Sequence, residues 1–85
     1  MSWCVYVIRC ADGSLYTGST NDLNRRFAQH QAGRGAKYTR SRRPLALVYH
    51  EALPDKSAAL RREAAVKRLS RAQKLALIAP AETST

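Results

Sequence analysis

The sequence predicts one small α+β domain, in which a three-stranded antiparallel sheet is flanked by helices in the order β-β-α-β-α-α. The 85 residues leave no room for a second domain of ordinary size. Apolar residues make up 45% of the chain, which is enough for a single core. Aromatic and β-branched runs alternate with stretches of helical periodicity, and turn residues separate them.

The first two elements form a predicted β-hairpin. Residues 3–9, Trp-Cys-Val-Tyr-Val-Ile-Arg, have the composition of a strand, and residues 14–19, Ser-Leu-Tyr-Thr-Gly-Ser, have that of a weaker one. Asp12-Gly13 lies between them and is a strong hairpin signal.

The length of the hairpin loop decides which way Tyr6 and Tyr16 face. A two-residue turn sends them to opposite faces of the sheet, because side chains alternate between the faces. A three-residue loop with a left-handed Gly13 pairs residue 10 with residue 14 and places both tyrosines on one face. The turn residues alone leave both loops open; we expect the three-residue loop because two tyrosines that serve one function must lie on one face.

A helix and then a basic loop follow the hairpin. Residues 21–32 carry apolar side chains at helical spacing behind several N-cap candidates, and Gly33 supplies the stop. Residues 33–44 form a predicted loop that contains no acid. The cations of this loop, named the basic loop below, are Arg34, Lys37, Arg40, Arg42 and Arg43.

The second half of the chain is predicted to form a strand and two helices. Residues 45–51 form the third strand, and residues 57–69 form a helix that follows a Pro-Asp turn. The residues expected on the buried side of that helix are Leu60, Ala64, Val66 and Leu69. The stretch from Ser70 to Gln73 has the form of a capping box and begins the last helix, which Pro80 is expected to end.

Domain boundaries and location follow from these elements. We expect one domain over residues 1–79 and a flexible tail over residues 80–85. No apolar run approaches the roughly 20 residues of a membrane span, and the early apolar stretch lacks the features of a signal peptide. A cytoplasmic monomer without membrane association is therefore the favoured expectation.

The charge of the chain points to a polyanionic partner. Lys and Arg number 15 against 6 for Asp and Glu, which gives a net charge of +9 at pH 7. Nucleic acid is the favoured partner, and an anionic membrane surface is the competitor. A membrane-surface helix fits poorly, because the narrow apolar stripe of residues 57–69 is needed by the core.

Four segments, taken in order, resemble one family. Cys4-Val5-Tyr6 and Tyr16-Thr17-Gly18 are similar to the two half-motifs that name the GIY-YIG nucleases, although only the tyrosines and the second glycine match. The stretch Leu23-x-x-Arg26-Phe27-x-x-His30 is similar to the family's first helix, and Glu63-x-x-Val66-Lys67 to its metal-binding helix. The resemblance covers about residues 3–78 and is closest to the small stand-alone bacterial branch.

The resemblance implies an activity and a role for each residue. It implies hydrolysis of DNA phosphodiester bonds with one divalent ion, Mg²⁺ or Mn²⁺. Tyr6 would be the general base that takes a proton from the attacking water, and Arg26 would hold the scissile phosphate. Tyr16 and His30 would position water and phosphate. Glu63 would hold the metal.

Elementary chemistry agrees with these residue types. A guanidinium is a permanently charged, bidentate donor to a phosphate. Tyrosine is a poor base at pH 7 unless cations stabilise its anion, and the net positive charge, Arg26 and a nearby metal are expected to do so. Glu63 is the only acid between Lys56 and Ala81, which suits one Mg²⁺ that keeps several waters and argues against a two-metal site.

Two functions from different classes stay open at this point. One is an endonuclease, selective for single-stranded or distorted DNA and acting in repair or recombination. The other is a nucleic-acid-binding module on the same fold, without turnover. Both would use phosphate contacts; the expected contact residues are Arg34, Lys37, Tyr38, Arg40, Arg42, Arg43 and Lys67. Two site residues have a second interpretation: Tyr38 either stacks a base or pins the loop, and Glu63 either holds the metal or forms an ordinary ion pair with Lys67.

Overall fold

The computed structural model describes residues 2–35 and 37–83, without the side chains of Tyr38, Thr39, Leu45 and residues 81–83. The elements are β1 (Trp3–Cys10), β2 (Leu15–Thr20), α1 (Leu23–Gln31), α2 (Lys37–Arg40), β3 (Pro44–Leu53), α3 (Lys56–Lys67) and α4 (Arg71–Thr83). The predicted class and sheet are confirmed. The difference is α2, a four-residue turn of helix within the predicted loop.

The sheet has the order β2-β1-β3, and both pairings are antiparallel. The central strand β1 is buried on both faces, which explains its consecutive apolar residues from Val5 to Ile8. Val5 and Val7 pack beneath α3 and α4 on one face. Tyr6 and Ile8 pack against residues of α1 on the other face. The sheet therefore separates two layers, and the α1 layer contains the tyrosines of the two half-motifs, Tyr6 and Tyr16.

The hairpin has the predicted three-residue loop. The Cys10 N–H donates to the Ser14 carbonyl at 2.9 Å, and Gly13 has a φ of 84°. Both features are those of a loop that pairs residue 10 with residue 14. Tyr6 and Tyr16 consequently lie on one face, with ring centroids 6.4 Å apart. The prediction is confirmed.

Helix α3 presents a different stripe to the sheet from the predicted one. Ala59 and Val66 are fully buried, whereas Leu60 is 49% exposed, so the prediction that Leu60 faces the core is wrong. The stripe contains Glu63 as well, because residues spaced by three and four lie on one face of a helix. The rotation that buries Ala59 therefore turns an acidic side chain toward the sheet.

Two ion-pairing side chains extend from α3 to opposite edges of the sheet. Arg62 Nε lies 2.7 Å from Glu51 Oε1 on β3. Glu63 Oε1 accepts a hydrogen bond from Ser19 Oγ on β2 at 2.5 Å. Helix α3 thus crosses the central strand, and Glu63 reaches the β2 edge.

Helix α4 continues past Pro80 to Thr83, so the prediction that Pro80 ends it is wrong. A proline removes one N–H donor and crowds the preceding turn, but residues that follow it can remain helical. Near the end of a helix this cost falls on a single turn. The boundary at residue 79 and the flexibility of residues 80–85 stay predictions, and residues 84–85 lie outside the described part.

The middle residue of the second half-motif supplies a test of the core. Thr17 is 3% exposed, and its hydroxyl has no hydrogen-bond partner among the described residues. Because an unpaired buried hydroxyl is costly, Thr17→Val should raise the free energy of unfolding by about 1 kcal/mol, or the Tm by about 4–8 °C. Circular dichroism during heating measures this.

The matched control for that test is Thr20→Val. The Thr20 hydroxyl accepts a hydrogen bond from the Asp22 N–H at 3.1 Å before α1, so this variant should lose stability. A Thr17→Val protein with an unchanged or lower Tm would show that its hydroxyl is satisfied in solution.

Candidate active site

A buried hydrogen-bonded pair joins β1 to α1. Tyr6 is 1% exposed and His30 is fully buried, and Tyr6 Oη lies 2.9 Å from His30 Nε2. His30 occupies the stripe of α1 that faces the sheet, in helical register with Leu23 and Phe27. A polar ring in such a position needs a partner, and the Tyr6 hydroxyl supplies it.

Two glycines make room for this pair. A Cβ at Gly18 would lie 2.5 Å from Tyr6 Oη, and a Cβ at Gly35 would overlap the imidazole of His30. The glycine of the second half-motif is therefore required by the tyrosine of the first. The role of Gly35 could not be predicted from the sequence, because its contact with His30 has no local signal there.

Tyr16 extends the pair into a cluster of three rings. Its centroid lies 5.2 Å from that of His30 and 6.4 Å from that of Tyr6. Tyr16 is half-buried, and Lys67 Nζ lies 5.9 Å from its ring centroid. This distance is within the range of a cation–π contact. The cluster thus connects the α1 layer with the end of α3.

Arg26 lies one turn before His30 on α1. It is half-buried, and its Nη1 donates to Gln29 Oε1 at 3.2 Å. A polar pocket of about 210 Å³ opens beside it, lined by Thr20, Asn21, Asp22, Arg25, Arg26 and Gln29. Gln29 holds the guanidinium at this pocket, a role that sequence reasoning missed because an amide has no distinctive spacing.

Glu63 reaches the site from the other layer, around the β2 edge. Its carboxylate is held by Ser19 and by Lys67, whose Nζ lies 2.8 Å from Oε2. Burial raises the pKa of Glu63, but the hydrogen bonds from Lys67 and Ser19 outweigh it and hold that pKa below its ordinary value. The carboxylate is therefore ionised at pH 7.

The donors around Glu63 fit one hard divalent ion. Within the described residues no three His, Cys, Asp or Glu side chains converge, so a site built of several carboxylates is absent from that part. A carboxylate has about four lone-pair sites, of which Ser19 and Lys67 use two. One carboxylate with the Ser19 hydroxyl suits Mg²⁺ or Mn²⁺ that keeps its waters. The Lys67 ammonium already pairs with one of these oxygens, Oε2.

The protonation of the buried pair differs from expectation. Burial raises the pKa of Tyr6 to about 12, although the Arg26 guanidinium lowers it. The chain's own cations therefore do not make Tyr6 easy to ionise, and the expected contribution of a nearby metal stays a prediction. Burial, and then Arg26, lower the pKa of His30. At pH 7 both members of the pair are neutral.

The basic loop is attached to the hairpin turn. The Ala11 N–H donates to the carbonyls of Arg42 and Arg43, and Arg42 Nε lies 3.3 Å from Asp12 Oδ2. The other four cations of the loop are exposed. The side chain of Tyr38, a predicted contact to nucleic acid, lies outside the described part.

No helix in the described ranges is both long and apolar enough for a membrane span.

The fold and the tyrosine half-motifs define the class of protein. The family model described as the GIY-YIG catalytic domain matches residues 2–76, and the chain therefore belongs to the GIY-YIG nuclease family. The resemblance is confirmed over nearly the whole chain. The family match does not by itself assign a role to any residue.

Within this family the chain is similar to small UPF0213 proteins. It is 58% identical over 80 residues to one from Cupriavidus pinatubonensis, covering 94% of this chain and 89% of that one. An archaeal relative from Halobacterium salinarum is 59% identical over 73 residues, covering 86% and 95%. The relatives are thus archaeal as well as bacterial.

Two solution structures show a similar fold. That of the UPF0213 protein from Bacillus halodurans has a TM-score of 0.59 at 49% identity and covers 93% of this chain and 84% of that one. That of a protein from E. faecalis has a TM-score of 0.65 at 39% identity and covers 100% and 91%. The relatives are therefore single-domain proteins of similar size.

Proposed function

We propose that this protein is a metal-dependent endonuclease that hydrolyses phosphodiester bonds of single-stranded or distorted DNA. It would act as a cytoplasmic monomer in repair or recombination. The observation that carries the proposal is the convergence, from four elements, of the side chains that phosphodiester hydrolysis needs. They are Tyr6, Tyr16, Arg26, His30 and Glu63.

The pair of Tyr6 and His30 can act as one base. At a pKa of about 12 only about 10⁻⁵ of Tyr6 is ionised at pH 7, too little for a phenolate base. Neutral His30 can accept the Tyr6 proton at Nε2 while Tyr6 Oη takes a proton from water. No free phenolate is then formed. This use of the pair requires the tautomer with its proton on Nδ1.

The other residues act on the phosphate. Arg26, oriented by Gln29, would donate to the non-bridging oxygens of the scissile group as their charge grows. Glu63 would hold one divalent ion, which supplies stabilisation of the charge on the leaving oxygen. Tyr16 lies against His30 and can position the attacking water.

One observation favours the second candidate, a binding module without turnover. Tyr6 is 1% exposed and its pKa is raised, which are also the properties of an ordinary core tyrosine. In that case the bond between Tyr6 and His30 only stabilises the fold. The exposed cations would then be the functional part.

A cleavage assay separates the two candidates. Labelled single-stranded, duplex and flap DNA, with single-stranded RNA of the same sequence, are incubated with the protein and Mg²⁺, Mn²⁺ or EDTA. We expect cleavage with either ion and none with EDTA, with flap and single-stranded DNA cut faster than duplex. Binding without cleavage under every condition would establish the second candidate.

The pH dependence of cleavage tests the shared base. The pKa of His30 lies below its ordinary value of 6.5, so its ring is neutral from pH 7 upward. We expect log kcat/KM to be level between about pH 7 and 9 and to fall only below the lowered pKa of His30, where protonation removes the proton acceptor. A base that must first ionise with a pKa of about 12 would instead give a tenfold rise per pH unit.

The control for the pH profile is the identity of the ion. The profile is measured with Mg²⁺ and again with Mn²⁺, each at saturation. If the fall in the pH profile shifts when the ion is changed, the group that titrates there belongs to the metal site and not to Tyr6 and His30. A steady rise through pH 9 with both ions would contradict the proton transfer to His30.

The salt dependence of binding tests the basic loop. If about four of its cations contact phosphates of a single strand, log K should fall against log salt with a slope of about −3. Replacing the exposed Arg34 and Arg40 by Ala should flatten the slope by about 1.4 and raise KM more than it lowers kcat. Arg26→Ala should instead lower kcat, because its contact strengthens in the transition state. Fluorescence anisotropy and steady-state cleavage measure both effects.

A matched pair of arginines on the opposite layer is the control. Arg61 and Arg71 are exposed on α3 and α4, and replacing both by Ala removes the same charge. This control should change the salt slope little. If it flattens the slope and the Arg34 and Arg40 variant does not, the nucleic-acid surface lies on the helices α3 and α4.

A further inference from the structure

Glu63 is held by a cation that the chain itself supplies. Lys67 Nζ lies 2.8 Å from Oε2, and Ser19 Oγ donates to Oε1. The Glu63 side chain is only 19% exposed, whereas that of Lys67 is 49% exposed. The carboxylate is therefore fixed in place, while the ammonium lies at the surface and is free to leave.

The same ammonium faces the aromatic side of the site. Lys67 Nζ is 5.9 Å from the centroid of Tyr16, whose ring contacts His30. An ordinary surface pair at spacing i,i+4 would have neither this second contact nor a buried carboxylate. Lys67 thus contacts both the carboxylate of Glu63 and the ring of Tyr16.

A divalent ion on Glu63 and an ammonium on the same carboxylate repel each other. Lone-pair sites of the carboxylate remain for an ion, but the ion and the ammonium would then lie within a few ångströms of each other as like charges. We propose that Lys67 competes with the divalent ion for Glu63, and that the ammonium displaced by the ion moves to a phosphate of the nucleic acid beside Tyr16. This inference rests on the proposed function, which supplies the ion and the nucleic acid.

The consequence is a coupling between the two ligands. Ion binding would free one more cation for the nucleic acid, and nucleic acid would draw Lys67 away and strengthen ion binding. The factor by which the ion strengthens nucleic-acid binding must equal the factor by which nucleic acid strengthens ion binding, because linkage is reciprocal. Lys67 would be a positioning residue that makes the site complete only when both ligands are present.

The first test measures Mn²⁺ binding without nucleic acid. Calorimetry or electron paramagnetic resonance is applied to the wild type and to Lys67→Met, which keeps the length of the side chain and removes its charge. We expect Lys67→Met to bind Mn²⁺ about three- to tenfold more tightly. Lys56→Met, at the other end of α3, is the matched control and should change the affinity less than twofold. Equal affinity in the wild type and Lys67→Met would overturn the competition.

Glu63→Gln separates a failure of this inference from a failure of the proposed metal site. If Glu63→Gln abolishes Mn²⁺ binding and Lys67→Met has no effect, only the competition is wrong. If Glu63→Gln binds Mn²⁺ as the wild type does, Glu63 is not a ligand. The metal site of the proposed function is then wrong, and the competition with it.

The second test measures DNA affinity with and without Mn²⁺. It uses Tyr6→Phe protein, in which we expect cleavage to be too slow to consume the DNA. Mn²⁺ should tighten DNA binding several-fold when Lys67 is present, and clearly less when it is replaced by Met. The gain in DNA affinity on adding Mn²⁺ is measured with Lys67 and with the Lys67→Met substitution. Dividing the first gain by the second cancels any effect of Mn²⁺ on the DNA itself. A ratio of one would show that the displaced ammonium does not reach the nucleic acid.

Discussion

Tyr6→Phe should lower kcat by about 10²- to 10⁴-fold, the usual contribution of a positioned acid or base. Phenylalanine keeps the ring beside Gly18 and removes only the hydroxyl that bonds His30. DNA affinity should be unchanged, because Tyr6 is 1% exposed and cannot contact a bound strand directly. Single-turnover cleavage and anisotropy titration measure the two quantities.

The same substitution elsewhere on the sheet is the control for Tyr6→Phe. Tyr49 on β3 packs against the opposite layer, beside Arg62. Tyr49→Phe should cleave DNA within a few-fold of the wild type. Tyr6→Phe leaves a buried imidazole without its partner and should lose about 1–3 kcal/mol of stability, so its folding is checked at the assay temperature. A folded Tyr6→Phe protein with normal kcat would remove Tyr6 from the mechanism.

Glu63→Gln should lower metal-dependent cleavage by about 10²-fold or more, because a bound ion contributes several kcal/mol to a transition state of this charge. The fold should persist, since an amide still accepts the Ser19 hydrogen bond and an i,i+4 ion pair contributes only a few tenths of a kcal/mol. DNA affinity should hold or rise, because one negative charge is removed. Cleavage over a series of Mg²⁺ concentrations measures the effect.

Glu51→Gln provides a close match to this variant. Glu51 pairs with Arg62, the neighbour of Glu63 on α3, so both variants lose one carboxylate and one ion pair at the same helix. Glu51→Gln should retain cleavage. Equal activity in the two variants would show that Glu63 is structural and that the ion binds elsewhere.

Much of the fold could be predicted because its signals are local. The three-residue loop depends on Gly13 adopting a positive φ and on the Asp12 side chain, which bonds the Ser14 N–H at 3.0 Å. This loop places Tyr6 and Tyr16 on one face, but the turn residues alone left a two-residue loop open, and the requirement for one shared site decided between them. The sheet class likewise followed from the composition of its strands.

The errors concern choices made between elements. Several rotations of α3 would cover apolar surface, and the one adopted buries Ala59 and leaves Leu60 exposed. That rotation depends on the shape of the sheet beneath it. The end of α4 was missed for a related reason, because a proline near a helix terminus costs little beyond one turn.

The candidate site residues came from the family pattern rather than from periodicity. From position and spacing alone, Arg26 and His30 would be interpreted as two residues on one face of a helix. Glu63 would be interpreted as the ion-pair partner of Lys67. The supporting residues Gln29, Ser19 and Gly35 belong to no such pattern, and their roles appear only in contacts between distant segments.

Local chemistry in the chain was sufficient for the fold class and the cationic character of the surface. Tertiary structure alone decided the pKa of Tyr6 and which carboxylate oxygens of Glu63 already have a partner. Burial raises the pKa of Tyr6 more than Arg26 lowers it, and packing brings Lys67 onto the Glu63 carboxylate. A turn is determined by neighbours in sequence, whereas the charge state of a buried group depends on everything folded around it.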